Sequence, residues 1–214
     1  MRQHRQLLAT IAFLVGASSA AAWQLGSRPA EQWIETLSRP QRVEQLRIDE
    51  VIARLRLAPG DILADIGAGS GVFSLPFARA VSPGGKLYAV EIDQGLVDHI
   101  EERAAAEGAA NVEVVLGEFT DPKLPGRNID LAFFHDVLHH VEDRAGYLKN
   151  LARYIGPAGR IAVIERGHHR RGDRHELEMT KEQVTEWMAA AGFRPDEEHF
   201  LYGGGKWFVV YARH

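Results

Sequence analysis

LADIGAGSG, residues 63–71, starts as a buried β-strand and ends in three glycines, each separated by one residue, behind an acid. Gly67, Gly69 and Gly71 have no side chain to bury. Glycine lets the backbone take positive φ and lets a ligand lie against the main chain with no Cβ in the way. A helix beginning near Val72 presents free N–H groups and a partial positive charge at its first turn, which suits a carboxylate or phosphate. A dinucleotide fingerprint requires G-x-G-x-x-G, but counted from Gly67 the last position is Val72, so that pattern fails. Asp65 would repel a pyrophosphate and welcome an ammonium group. Further along, the strand Leu87 to Val90 ends at Glu91, an acid placed to take both hydroxyls of a ribose. A ligand with an amino-acid end and a ribose fits both acids.

Outward from this loop, short apolar segments alternate with helical ones. Strands are predicted at Ile62 to Ile66, Lys86 to Ile92, Val112 to Leu116, Ile129 to Phe134 and Arg160 to Glu165, with helices at about 71–80, 94–107, 142–154 and 180–191. Such alternation predicts an α/β protein with a mostly parallel sheet covered by helices on both faces. The last two strands, Phe193 to Tyr202 and Lys206 to Ala212, are joined through Gly203-Gly204-Gly205. That link is too short for a parallel crossover, so this pair is expected to run antiparallel and complete seven strands. Upstream, Ser27 to Leu57 reads as two amphipathic helices separated by Pro40, with Trp33, Ile34 and Leu37 on one face.

The 214 residues, 45% of them hydrophobic, suffice for one core, and no repeat appears. A formal charge of −4 with scattered bases lacks the stripe of a nucleic-acid binder. The one basic cluster, Arg166 to His175, reads as a solvated loop. It contains His168, His169 and His175, but the neighbouring arginines oppose a cation, so no metal site is expected. The absence of cysteine removes thiol nucleophiles, disulfides and iron–sulfur ligation. At the N-terminus, Arg2 and Arg5 precede an apolar run from Leu7 to about Ala17 and then Ala20-Ala21-Ala22, the layout of a secretory signal peptide. The run is shorter than the about 20 apolar residues of a spanning helix, so cleavage is favoured over an uncleaved membrane anchor. The expected organisation is a leader or anchor over 1–22, a helical lid over 23–57 and the main domain over 58–214.

Five blocks in order, LADIGAGSG, LYAVEID, VVLGEFTD, IDLAFFHDVLHHVED and LARYIGPAGRIAVIE, resemble the class I S-adenosylmethionine-dependent methyltransferases. The likeness is to the small-molecule group that includes the ubiquinone and menaquinone methyltransferases, and it spans about residues 42–212. It implies a Rossmann-like fold and S-adenosylmethionine as cofactor. It also implies that Asp65, Gly67, Ala68, Gly69 and Gly71 hold the methionine part and that Glu91 and Ile92 border the ribose. Glu118, where the family usually has Asp, would bind the adenine amino group with Phe119 beside the ring, and His135 would line the wall between cofactor and acceptor. Ala158 stands where the family often has the second Gly of a P-G-G turn.

A base is needed in methyl transfer only if the acceptor must lose a proton. His135-Asp136-x-x-His139-His140 supplies the candidates, because an imidazole titrates near neutrality. L-H-H-V-E-D resembles the stretch that holds the catalytic histidine in plant small-molecule O-methyltransferases, which implies His139 as the base. A structural histidine packed on the cofactor loop is the alternative. The D-P-P-Y signature of base amino methylation is absent, so a small molecule and not a nucleic acid is the expected acceptor, with no obligate protein partner. Two other readings stand beside the enzyme: a cofactor-binding sensor or scaffold without catalysis, and a nicotinamide oxidoreductase, which Val72 disfavours. The leader predicts export to the periplasm or membrane attachment, although the cofactor is made in the cytoplasm; a non-functional leader would leave the chain cytoplasmic.

Overall fold

Strand β1 (Ile62–Ile66) is apolar except for Asp65 near its carboxyl end, because both of its faces are covered. The computed structural model, which describes residues 28–166 and 179–213, sets it third in a seven-stranded sheet. Its companions are β2 (Lys86–Glu91), β3 (Val112–Leu116), β4 (Ile129–His135), β5 (Ile155–Arg166), β6 (Phe193–His199) and β7 (Lys206–Arg213). The order is β3-β2-β1-β4-β5-β7-β6; the first five run parallel, and β7 is antiparallel to both β5 and β6. This is the predicted Rossmann-like α/β sheet with an antiparallel C-terminal pair.

Helices cover both faces: α1 (Ala30–Leu37), α2 (Pro40–Gln45), α3 (Ile48–Leu55), α4 (Ser74–Ala80), α5 (Gln94–Ala106), α6 (Arg144–Ala152) and α7 (Lys181–Ala190). The period of two along each strand sorts the core. Ala64, Ile66, Val90, Phe134 and Val163 pack with Leu148 and Leu151 of α6 and Val184 and Met188 of α7. Leu63, Leu87, Leu131, Phe133 and Ile164 pack with Val51 and Leu55 of α3 and Phe77 and Ala78 of α4.

Parallel strands align their carboxyl ends, so Asp65, Glu91, His135 and Glu165 reach one edge of the sheet. The antiparallel β7 begins at that edge, since Lys206 pairs with Arg166. Six strand ends thus supply one rim, and the site is built there.

Several boundaries differ from the sequence reading: β5 begins at Ile155 and not Arg160, and three further differences have a visible cause. The N-terminal segment holds three helices, because Arg47 takes φ 52 and divides the second. Arg47 donates two hydrogen bonds of 2.6 Å to the Glu50 carboxylate and another to the Leu201 carbonyl, and the Tyr202 hydroxyl donates to the Leu46 carbonyl at 2.8 Å. Tertiary bonds hold this corner against local helix propensity. Helix α4 starts at Ser74 and not near Val72, because the Ser74 hydroxyl turns back to Asp65. Strand β6 ends at His199 and leaves Phe200 to Gly205 as the turn. The leader (1–22) and the His168, His169 and His175 segment lie outside the described residues.

Phe133 is fully buried, with ring centroids 4.9 Å from both Phe73 and Phe77. Replacing it with alanine leaves a cavity under the site, and Phe133→Ala is expected to lower unfolding free energy by about 3–5 kcal/mol. Guanidinium denaturation followed by circular dichroism measures the loss.

Candidate active site

The glycine loop closes one wall of a cavity over the carboxyl edge of the sheet. Gly67, Gly69 and Gly71 take φ of 69°, 59° and 71°, the left-handed region that side chains resist. A Cβ on Gly67 would stand 2.6 Å from both methyls of Val137, and one on Gly69 would stand 2.9 Å from Leu37. The loop is therefore pressed between the β4 end and α1, with the backbone itself as the surface.

Four of its amides are already engaged within the protein. The N–H groups of Gly67 and Ala68 donate to the Val90 carbonyl at 2.9 and 3.0 Å, and that of Gly71 donates to the Ala68 carbonyl at 2.9 Å. The Gly69 N–H donates to Glu91 Oε2 at 2.8 Å, and the Ile92 N–H donates to Glu91 Oε1 at 2.8 Å. The loop thus positions a carboxylate and does not offer a nest for an anion.

Asp65 and Glu91 are both buried, and neither forms an ion pair with a cation among the described residues. Burial pushes the Asp65 carboxyl up to about 7; the Ser74 hydroxyl, donating to Oδ2 at 2.6 Å, opposes that rise and the charge of Glu91 adds to it. Burial also raises Glu91, while the two backbone N–H bonds hold it down. Two desolvated acids without a counter-cation form a receptor for positive charge and for hydroxyl donors.

Asp65, Gly67, Ala68, Gly69, Glu91, Ile92, Glu118, Phe119 and His135 all line this one cavity. Glu118 and Phe119, just beyond β3, form its exposed end, where the Phe119 ring is only half covered and Glu118 lies 3.2 Å from Lys123. Gly71 is not in the lining. It supports the turn from behind, with its Cβ position 3.3 Å from Ile100.

His139 lies outside the lining as well. Its Nδ1 sits 2.9 Å from Oε2 of the buried Glu165, and its ring lies 4.1 Å from that of His140, which does face the cavity. The short helical turn Leu138–His140 directs residue 139 to the β5 side and residue 140 to the cavity.

His135 faces the cavity, but its basic nitrogen is engaged. Nε2 lies 3.0 Å from the Lys206 ammonium, which can only donate, so Nε2 accepts and the ring's proton sits on Nδ1, facing Asp136 at 3.8 Å. Burial pushes the imidazole down to about 3, with Lys206 and Arg42 adding to the effect. The neutral ring therefore cannot take a proton from an acceptor at neutral pH.

Sequence reasoning named Asp136 among the candidates but missed Lys206 and Tyr147 beside it. Asp136 is held at φ 54 and accepts from Lys206 at 2.6 Å, while Arg42 and Tyr147 join the lining. Lys206 was findable, because an antiparallel last strand must begin at the rim. The left-handed turn at Asp136 leaves no mark in composition.

Residues 64–163 match the family model described as a methyltransferase domain. A SAM-dependent methyltransferase of known structure from Aquifex aeolicus is 26% identical, with a TM-score of 0.75 over 86% of this chain and 98% of its own. Ribosomal RNA small subunit methyltransferase A of Pelotomaculum thermopropionicum is 39% identical over 40% of this chain and 28% of its own length. Nocamycin O-methyltransferase of Saccharothrix syringae is 31% identical over 49% of this chain and 38% of its own. The chain spans about a third of the length of these two curated relatives.

The raised carboxyl of Asp65 has a measurable sign. Between its ordinary value of 3.8 and about 7 the unfolded carboxyl has lost its proton while the folded one keeps it, so this group's contribution to stability falls as pH rises through that window. Asp65→Asn is expected to flatten the dependence and to melt higher than the parent protein at pH 8. Thermal scans of both proteins from pH 4.5 to pH 8 measure it.

Proposed function

We propose that this chain, which carries a class I S-adenosylmethionine-dependent methyltransferase domain, transfers the methyl group of that cofactor to a small-molecule acceptor. The observation that carries the reading is the row of carboxylates along one cavity, Asp65, Glu91 and Glu118 at the ends of β1, β2 and β3, with the two buried ones lacking a cation. They match the cofactor's ammonium group, ribose hydroxyls and adenine amino group in that order. The exposed Phe119 ring offers an apolar surface to the base.

When bound, S-adenosylmethionine would supply a methyl group on a sulfonium, the acceptor bonding to the methyl carbon as the carbon–sulfur bond breaks and the neutral thioether S-adenosylhomocysteine leaves. The chain's part is to hold both reactants in line and to exclude water, the effects that dominate such a displacement. Val137, Val141 and Tyr147 make the wall beside the glycine loop largely apolar. Helices α1 to α3 act as the lid of this reading, with Trp33 and Leu37 reaching the cavity. His135 serves as a neutral wall residue and not as the base; an acceptor that enters ionised or with a free lone pair requires none.

The leader is the second part of the reading. Arg2, Arg5, the apolar run and Ala20-Ala21-Ala22 support export or attachment to a membrane through residues 1–22.

Calorimetry with S-adenosylhomocysteine tests the cofactor site: the parent protein is expected to bind it, and Glu91→Gln to weaken binding at least tenfold, the scale of charged hydrogen bonds worth about 1.5–3 kcal/mol. Absence of any heat of binding from folded protein would remove the reading. For the leader, N-terminal sequencing of protein from an envelope fraction is expected to begin at Trp23; a full-length cytosolic product would refute export.

A further inference from the structure

The charges along the rim are segregated. Its β3–β2–β1 half presents Asp65, Glu91 and Glu118, whereas the half around β4, β5 and β7 gathers Arg42, Lys206 and Arg166 about Asp136, with Glu165 of β5 turned to His139. Lys206 bonds Asp136 Oδ2 at 2.6 Å, and Arg166 Nε stands 3.7 Å from its Oδ1. His135 is neutral. Counted over Arg42, Lys206, Arg166 and Asp136 alone, this group carries two positive charges in excess.

Arg42 is the cation that faces the cavity. It is half-buried, its Nη1 donates to the Leu37 carbonyl at 2.9 Å, and it forms no ion pair among the described residues. A half-buried guanidinium that shares Asp136 with other cations and pairs with no carboxylate of its own is unusual, and its planar fork is matched by a carboxylate or a phosphate. The α-carboxylate of a bound cofactor would answer one of the two excess charges. The acceptor can bring a second anion to the same cations.

Resting on the methyltransferase reading, we infer that the acceptor is an anionic small molecule, a carboxylate- or phosphate-class compound whose charged group docks against Arg42 at the β4 end of the cavity while its apolar part lies along Val137 and Val141. Arg42 and Lys206 both lie outside the residues 64–163 that match the methyltransferase model, so this selectivity belongs to the chain's own additions around the common domain. Arg42 acts on the acceptor as a binding residue, with Lys206 fixing Asp136 behind it.

The test is methyl transfer from labelled S-adenosylmethionine into a metabolite extract of the producing organism, split by ion exchange into anionic, neutral and cationic fractions. Label is expected in the anionic fraction, and Arg42→Gln is expected to reduce its incorporation at least tenfold. In the same variant, S-adenosylhomocysteine affinity should stay within threefold, which also shows that the protein is folded. Arg42→Lys should recover part of the transfer. A parallel panel of hydroxylated aromatic carboxylic acids and their amides should give label in the acids alone, if it gives any. Label in the neutral or cationic fraction overturns the inference, as does no label in any fraction from protein that binds S-adenosylhomocysteine. A loss of S-adenosylhomocysteine affinity in Arg42→Gln that equals the loss of transfer also overturns it, because Arg42 would then serve the cofactor's carboxylate. Failure of the parent protein to bind S-adenosylhomocysteine is a separate result that removes the methyltransferase reading itself.

Discussion

Two acids sealed from water with no cation beside them set the terms for the rest of the molecule. Asp65 and Glu91 are each held by hydrogen bonds that fix an oxygen without neutralising a charge: a hydroxyl for one, two backbone amides for the other. The glycine loop exists to make this possible. Its left-handed turns bring the Gly69 amide onto Glu91 while the preceding amides tie the loop to Val90. Any side chain on Gly67 would meet Val137, so the same bend that orients the acids keeps the cavity wall bare.

The sheet does the placing. Five parallel strands deliver their last residues to one edge, and the antiparallel β7 returns its first residue to that edge. A mixed sheet thereby combines acids at one end of a cavity with cations at the other, which a purely parallel sheet of the same length would not have achieved with Lys206. The local helix propensities of the N-terminal segment yield to this arrangement where Arg47 leaves the helix to bond Glu50 and Leu201.

Much of this was legible in the residues. Strand identity followed from short apolar runs separated by helical periods, and the antiparallel pair followed from the brevity of Gly203-Gly204-Gly205. The acids on β1 and β2 announced themselves by spacing from the glycines. What escaped reading depends on direction and not on position. His139 and His140 are neighbours, yet the helical turn sends them to different sides, and composition says nothing about which faces the cavity. The basicity of His135 was equally hidden, because it is cancelled by Lys206, seventy-one residues away in the chain. Amides of the glycine loop are taken up by Val90 and Glu91, a pairing that only the three-dimensional register creates.

The bonds from Arg47 and Tyr202 across to Leu201 and Leu46 rivet α2 and α3 to the C-terminal turn. α1 has no such rivet: none of its eight residues is fully buried, and beyond it Ser38 shares one hydroxyl bond of 3.0 Å with Ser70. Of the three lid helices α1 is therefore the least tied, held near Ser38–Arg39 by the Ser38–Ser70 bond and by the Arg42 bond to the Leu37 carbonyl, each worth about 1 kcal/mol. The door can move while the frame around it stays still.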